Sequence, residues 1–507
     1  AMIDFGALDA AFALLSSSWT AWVFVLPGLI IGLFFGAMPG ISITMAMAIF
    51  LPMTLYMDIL PAIIFLTAIY TGAGFGGSVP AVLMNIPGTS SALATTFDGY
   101  PMARQGRHNE ALGLALTASV LGCLASYILL LVLIAPVSHV VLKMGPLELF
   151  VIAVWGLLLL GSLSGNSLPR GLLAGVFGVL LGTIGMNTAG FIRGTMGVPW
   201  LLDGIPTIPA MMGLLAASQL LGLINTSYLI EDEGLRKISM PKILSGVKMA
   251  VKEPKIIIRG TLIGVIVGSI PGVGSSISNL LSYSEAQRTS DDGESFGKGN
   301  PKGVIAAEAA NSSSEGGAMA TMLALGIPGG GATAILLAAF AMHNIVGGPS
   351  FIAQNKDIVY AIIFSNFAQA MLLFFVGLGF VYLAGYVVRV PLRFLIPSVL
   401  VVSVFGSYAI DGSASGPITL AVFSVLGWAM VRYDYPVAAT VVGLLLGRLL
   451  EGNLLRSYQV SGGKLSYALE RPGALFILAL LVLSIVLSVI SRARKKRRLS
   501  VRDAAES

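Results

Sequence analysis

The 507-residue chain is 56% hydrophobic and only 11% charged, against roughly 25% charged residues in a soluble globular domain. Its mean hydropathy of +0.89 therefore excludes a water-soluble fold. The net charge of +6 comes from a few short Lys/Arg clusters, which the excess of basic residues in cytoplasmic loops explains without any nucleic-acid partner. One cysteine, Cys123, and three scattered histidines, His108, His139 and His343, exclude a disulfide framework and a clustered iron–sulfur, zinc or haem site.

Residues 1–18 form an N-terminal segment carrying Asp4 and Asp9 in place of the basic start of a secretory signal peptide. From residue 19 onward apolar stretches of the ~20 residues needed to cross a bilayer recur, which predicts about 12 spans in an all-α polytopic membrane protein. Residues 19–230 make a first transmembrane unit. The runs before Pro39 and Pro271 are about 16 residues and the run after Gly272 reaches only Tyr283, too short for two full crossings, so a re-entrant hairpin with Pro-Gly at its tip is expected. In LMNIPGTSSA, Pro87 removes a helix donor and Gly88 opens the backbone, exposing helix ends and free amides inside the protein. Residues 231–259, with Arg236, Lys237, Lys242, Lys248, Lys252, Lys255 and Arg259, read as a basic cytoplasmic linker.

A second unit spans residues 260–455, followed by a loop and final span over 456–491 and a basic tail over 492–507 that places the C-terminus in the cytoplasm. The second unit echoes the first. GLIIGLFFGAMPG at 28–40 and GTLIGVIVGSIPG at 260–272 match at a constant offset of 232 residues, pairing Pro39 and Gly40 with Pro271 and Gly272. Further on, Ile86, Pro87 and Gly88 correspond to Ile327, Pro328 and Gly329, each after a Gly-Gly pair, Gly76 with Gly77 and Gly316 with Gly317; Pro146 echoes Pro391. Loops after equivalent elements carry opposite charge bias: Arg104 and Arg107 follow the first IPG break, while 343–349 after the second has no Lys or Arg. Conversely 54–61 lacks bases that its counterpart 285–303 carries in Arg288, Lys298 and Lys302. Two inverted repeats follow, the arrangement in which transporters hold substrate near the membrane midplane between broken helices.

Helix N-termini carry about half a positive charge and attract carboxylates. The breaks at Asn85–Ser91 and Gly326–Thr333 are therefore candidate anion sites, with Thr89, Ser90, Ser91 and Thr333 adding hydroxyl donors. The stretch AAEAANSSSEGG holds Glu308, Asn311, Ser312, Ser313, Ser314 and Glu315 before an apolar run. Its amide, hydroxyl and carbonyl oxygens suit a sodium ion, Asn311 and Ser312 foremost, and an acid there suits a proton. Cation coupling through Asn311, Ser312, Ser314 and Glu315 is expected, while Glu308 fits either coupling or the water interface. GESFGKG at 293–299 lacks the spacing and the Ser/Thr of a phosphate loop, and no catalytic motif is present, so no enzyme is expected. A channel for organic anions is the alternative, since it would share spans and broken helices.

The segments GGSVPAVLMNIPGTSSALATTFDGYPMARQG and FGKGNPKGVIAAEAANSSSEGGAMATMLALGIPGGGATAILL resemble the large membrane subunit, TctA type, of the bacterial tripartite tricarboxylate transporters. The similarity extends over about residues 20–490. It implies a bacterial inner-membrane secondary transporter for organic carboxylates, with sodium or proton as coupling ion, no bound cofactor and an elevator-like motion. The implied partners are a small four-helix membrane subunit and a periplasmic solute-binding protein, besides the lipid bilayer. Carried onto this chain, the family pattern places substrate at Asn85, Pro87, Gly88, Thr89 and Ser90 and at Pro328, Gly329, Gly330 and Gly331. Around them it sets the hairpin tips, with Pro39, Gly40 and Ser42 in one and Pro271, Gly272, Ser275 and Ser276 in the other. Asn311 is followed by Ser312 where members often have a second asparagine, and the second break reads Gly329-Gly330-Gly331, so citrate does not follow from the family name alone.

Overall fold

Glycine at every fourth position leaves a helix face without side chains, and in a bilayer that is what brings two backbones together. In the computed structural model, α2 (Trp19–Gly36) lays Gly28, Gly32 and Gly36 along α4 (Ile59–Gly76), so closely that a Cβ on Gly36 would sit 2.5 Å from the Ala73 carbonyl oxygen. The structure describes residues 5–38, 42–85, 87–141, 144–163, 168–187, 190–214, 218, 239–270, 274–387, 397, 400, 401, 403–405, 407, 408, 412–464 and 466–483. The other helices are α1 (Phe5–Ser17), α3 (Ile43–Phe50), α5 (Ser78–Met84), α6 (Leu93–Arg104), α7 (His108–Val141), α8 (Pro146–Leu163), α9 (Leu168–Gly182) and α10 (Thr207–Met212) in the first half. The second half contains α11 (Met240–Val251), α12 (Pro254–Gly268), α13 (Gly274–Thr289), α14 (Pro301–Leu325), α15 (Gly331–Met342), α16 (Pro349–Gln354), α17 (Lys356–Val387), α18 (Ser415–Arg432) and α19 (Val437–Ser461). A two-residue β-ribbon pairs Gly185–Met186 with Ile192–Arg193.

The packing repeats as the sequence does. As α2 lies on α4, α12 lies on α14, where a Cβ on Gly264 would meet the Ala310 carbonyl oxygen at 2.5 Å. Helix α7 packs on α14 and α17 on α4; α11 packs on α7 and α1 on α17; α9 packs on α19 and α10 on α18. The described part of the basic 231–259 segment, residues 239–259, is thus α11, the short turn after it and the first six residues of α12. Helix α11 buries Ile243, Gly246 and Ala250 against the bundle and turns Lys242 and Lys248 outward.

The two repeats are inverted. Thr71 reaches Glu315 while Gly74, further along α4, meets Asn311, earlier on α14, so the equivalent helices run antiparallel. Gln105 donates to the Lys298 carbonyl (2.8 Å), which brings the two basic loops to one end of the molecule. Their equivalents lie at the other end, where α15 packs on the turn Leu51–Tyr56.

Five helices among the described residues are long and apolar enough to cross a membrane: Trp19–Gly36, Ile59–Leu83, His108–Pro136, Lys356–Leu383 and Ser415–Arg432. Several others, including Ile43–Tyr56, Pro169–Gly182, Gly331–Met342 and Pro472–Leu483, are half-length apolar helices, the form that broken spans take. The chain is therefore an all-α polytopic membrane protein. Pro391 and the 492–507 tail lie outside the described residues.

Candidate functional site

Both IPG breaks are built the same way. Helix α5 ends at Asn85, which takes the left-handed conformation (φ 60°), and α14 ends at Gly326, left-handed as well (φ 68°). A left-handed residue ends a helix and turns the chain back on itself. The chain then folds back along the helix it has just left. Gly88 N donates to the Gly77 carbonyl (3.0 Å). Gly88 lies so close that a Cβ would strike the Gly36 carbonyl oxygen and come within 2.8 Å of Gly77 Cα. In the second repeat a Cβ on Gly329 would lie 2.8 Å from Ala318 Cα and 3.0 Å from the Gly268 carbonyl oxygen. Gly77 and Ala318 are thus the equivalent positions, one residue displaced from the Gly-Gly matching made on sequence alone.

From these return points α6 and α15 set out with their N-termini inside the protein. Thr89 Oγ1 lies 2.9 Å from Ser91 Oγ, and Gly330 N donates to Thr333 Oγ1 (3.0 Å). The opposite repeat closes on each break: Asn279 of α13 donates through Nδ2 to the Ser91 carbonyl, and Gly331 sits against Thr44 of α3. Each break is therefore flanked by the second arm of the other repeat's hairpin. Within this site Gly88, Thr89, Pro328 and Gly329 are buried, Pro87, Gly330 and Gly331 are half-buried, and Asn85 and Ser90 are exposed. Ser42 caps α3 by accepting from Met45 N (3.1 Å), and Ser275 is half-buried at the start of α13. Pro39, Gly40, Pro271, Gly272 and the Ser276 side chain lie outside the described residues.

Beside the first break, α14 carries two buried acids. Glu308 has no exposure and Glu315 has 3%, and seven residues on one helix place them on one face about two turns apart. Glu308 accepts from Thr95 of α6 through Oε1, and from Ser119 of α7 (2.9 Å) and Asn311 (3.3 Å) through Oε2. Glu315 Oε1 accepts from Thr71 of α4 (2.7 Å) and Tyr127 of α7 (2.6 Å). Asn311 also donates to the Gly74 carbonyl (3.1 Å). Among the described residues neither acid is paired with a Lys, Arg or His side chain.

Full burial removes the water-interface alternative for Glu308. Asn311 and Glu315 face the crossing with α4, whereas the Ser314 hydroxyl donates to the Asn311 carbonyl of its own helix (2.6 Å) and Ser312 is buried on α14. Thr95, Ser119 and Tyr127 were not legible as partners, because they stand at least 188 residues from their acids. The one available signal is a polar stripe in an otherwise apolar helix: Ser119, Cys123 and Tyr127 recur every fourth residue along α7.

Burying a carboxylate without a cationic side chain is costly, and a proton or a bound cation that neutralises it lowers that cost. What the arrangement offers is two such carboxylates at the crossing of the repeats, one of them joined through Thr95 to the helix that begins at the first break.

The description "Tripartite tricarboxylate transporter TctA family" matches residues 22–442 of the chain. A 52.8 kDa uncharacterized protein in the TAR-I ttuC' 3' region of Agrobacterium vitis is 32% identical over 481 residues, covering 94% of each chain. A second uncharacterized Agrobacterium vitis protein, in the TAR-II ttuC' 3' region, is 28% identical over 234 residues, 46% of this chain and 97% of its own. No solved structure matches the chain.

Proposed function

Because the chain belongs to the tripartite tricarboxylate transporter TctA family, and is therefore a multi-pass transporter subunit, we propose that it is the substrate-translocating subunit of a cation-coupled, binding-protein-dependent importer of organic carboxylates. The substrate lies between the two IPG breaks, its carboxylates held by the amide N-termini of α6 and α15 and by Ser90, with Gly330 forming the open wall. Glu308 and Glu315 take up the coupling sodium or proton, with Asn311 as an auxiliary oxygen ligand. Tri-, di- and aromatic carboxylates all fit that donor set. The observation that carries this reading is the pair of buried carboxylates without a cationic side-chain partner, set against the first break.

Translocation proceeds as an elevator-like shift of the repeat core against the remaining helices. Contact patterns support such a division, since α8, α9 and α19 pack on one another while α2, α4, α7, α12, α13, α14 and α17 form a second group. The chain works in the bacterial inner membrane with its C-terminus in the cytoplasm, together with a small four-helix membrane subunit and a periplasmic binding protein.

The test is reconstitution in liposomes of this chain, with and without those two partners, under imposed sodium and proton gradients. Accumulation of succinate, citrate or benzoate should need a gradient and, at low substrate, the binding protein. Accumulation that persists without either gradient but requires ATP sinks the coupling reading, and equal uptake without the binding protein sinks the dependence on it.

A further inference from the structure

Against the second break lies a cavity of about 870 Å³, bounded by Pro328, by α15 and the 345–350 loop on one side, and by the 203–209 loop and α19 on the other. Arg448, Gly452 and Arg456 share one face of α19 at four-residue spacing, with Asn453 beside them, and all four line the cavity. At Gly452 no atom lies within 4 Å of where a Cβ would be, so the wall between the two guanidinium stems is open.

The charges there are unevenly compensated. Glu451, on the adjoining face of the helix, is taken by Arg193 (2.5 Å). Arg448 donates to the backbone carbonyl of Asp203, and neither Arg448 nor Arg456 forms an ion pair with a described residue. With Asp203 as the one acid among the described residues of the lining, against Arg448 and Arg456, the described cavity wall is net positive. The cavity adjoins the 343–349 loop, at the end of the molecule away from the basic loops that contain Arg104 and Lys298.

We propose that this cavity is a carboxylate-binding vestibule in which Arg448 and Arg456 receive an organic polycarboxylate before it reaches the second break. This rests on the carboxylate-transporter reading and adds to it a second, peripheral site. A guanidinium grips a carboxylate with two parallel hydrogen bonds. Two arginines whose backbone positions lie roughly 12 Å apart along one helix face favour a ligand with separated carboxylates over a monocarboxylate. By the charge bias of the loops the vestibule faces the extracytoplasmic side, where a binding protein would release its load.

The test uses full-length protein with its partners in liposomes, and whichever of succinate, citrate or benzoate the wild type accumulates. Arg448→Gln and Arg456→Gln should each raise the half-saturation concentration about tenfold or more with little change in maximal rate, and Arg456→Lys should recover part of the loss. Independently, a Ser350→Cys reporter in a Cys123→Ser background should be alkylated more slowly when citrate is added, and Arg456→Gln should remove that protection. Unchanged half-saturation in both glutamine variants, or no protection by citrate, overturns the vestibule. Protection that follows phosphatidylglycerol content in place of citrate overturns it too, since the cavity would then hold a lipid headgroup. No accumulation of any of the three by wild type strikes at the transporter reading itself, whereas wild-type uptake with indifferent arginine variants strikes at the vestibule alone.

Discussion

Replacing Glu308 by Gln removes a charge while keeping the shape of the side chain, and the structure fixes what should follow. As a carboxylate Glu308 accepts three hydrogen bonds, from Thr95, Ser119 and Asn311. Bonds to a charged acceptor contribute about 1.5–3 kcal/mol each, which does little more than offset the several kcal/mol that complete burial of a carboxylate costs. A bound cation or proton adds stabilisation beyond that near balance. At a cation concentration a hundredfold above its dissociation constant that linkage is worth about 2.7 kcal/mol. Purified wild type should therefore unfold at a higher temperature in sodium than in choline if sodium is the ion, or at lower pH if the proton is. Glu308→Gln should lose that response while remaining folded, because the neutral amide no longer needs a counter-charge, although its Nε2 now confronts the Asn311 amide. Transport should lose its dependence on the gradient in parallel. An unchanged cation or pH response in both Glu308→Gln and Glu315→Gln would refute the assignment of coupling to these acids.

The breaks divide into positions that hold the fold and positions open to ligand. Gly88→Ala should reduce the yield of folded protein, since overpacking costs about 1–3 kcal/mol and the new Cβ meets backbone; Gly330→Val, where nothing lies within 4 Å, should fold normally yet depress uptake, and normal uptake by a folded Gly330→Val protein would remove the second break from the substrate site. Beside the 290–300 loop the ammonium of Lys302, in the first turn of α14, holds the exposed Asp292 carboxyl below its usual range. A depressed carboxylate stabilises above its unfolded pKa and the gain is lost as pH falls through the folded one, so proteolysis of this loop should increase below about pH 4 in wild type and less so in Asp292→Asn. The half-exposed pair contributes well under about 1 kcal/mol. Arg104→Cys and Val346→Cys, in a Cys123→Ser background, should react with an impermeant thiol reagent from opposite faces of the membrane; labelling from one face would contradict the inverted repeats.

Membrane class, repeat and inversion were legible because each leaves a one-dimensional trace: apolar length, a constant offset, and a loop charge that alternates between faces. Gly28, Gly32 and Gly36 could be seen as a packing stripe without knowing that α4 is what they pack on. The Pro-Gly breaks were equally visible, but on sequence alone the interruption falls on the Pro-Gly pair itself. In the structure the reversal happens two residues before each proline, at left-handed Asn85 and Gly326, and Gly88 and Gly329 serve as points of backbone contact. The carboxylate environment was illegible for a different reason. Hydroxyls such as Thr95 and Ser119 are ordinary residues on their own helices, and acquire a role only when a helix from the other half delivers an acid to them.

That delivery shows how an inverted repeat becomes asymmetric. The register that equates Gly88 with Gly329 also equates Thr67 with Glu308, Tyr70 with Asn311 and Gly74 with Glu315. The acids therefore belong to one repeat, while the hydroxyl partners that satisfy them, Thr71, Thr95, Ser119 and Tyr127, all belong to the other. Duplication supplies two similar frames, and the chemistry is divided between them as acceptor and donor. Any displacement of α14 relative to α6 and α7 would leave a buried carboxylate short of its donors, at a cost of about 1–3 kcal/mol or more for each group left unsatisfied. The occupancy of the acids by a proton or cation and the relative position of the two repeats are in this way the same equilibrium, which is the physical requirement for coupling an ion gradient to movement of the substrate-bearing breaks.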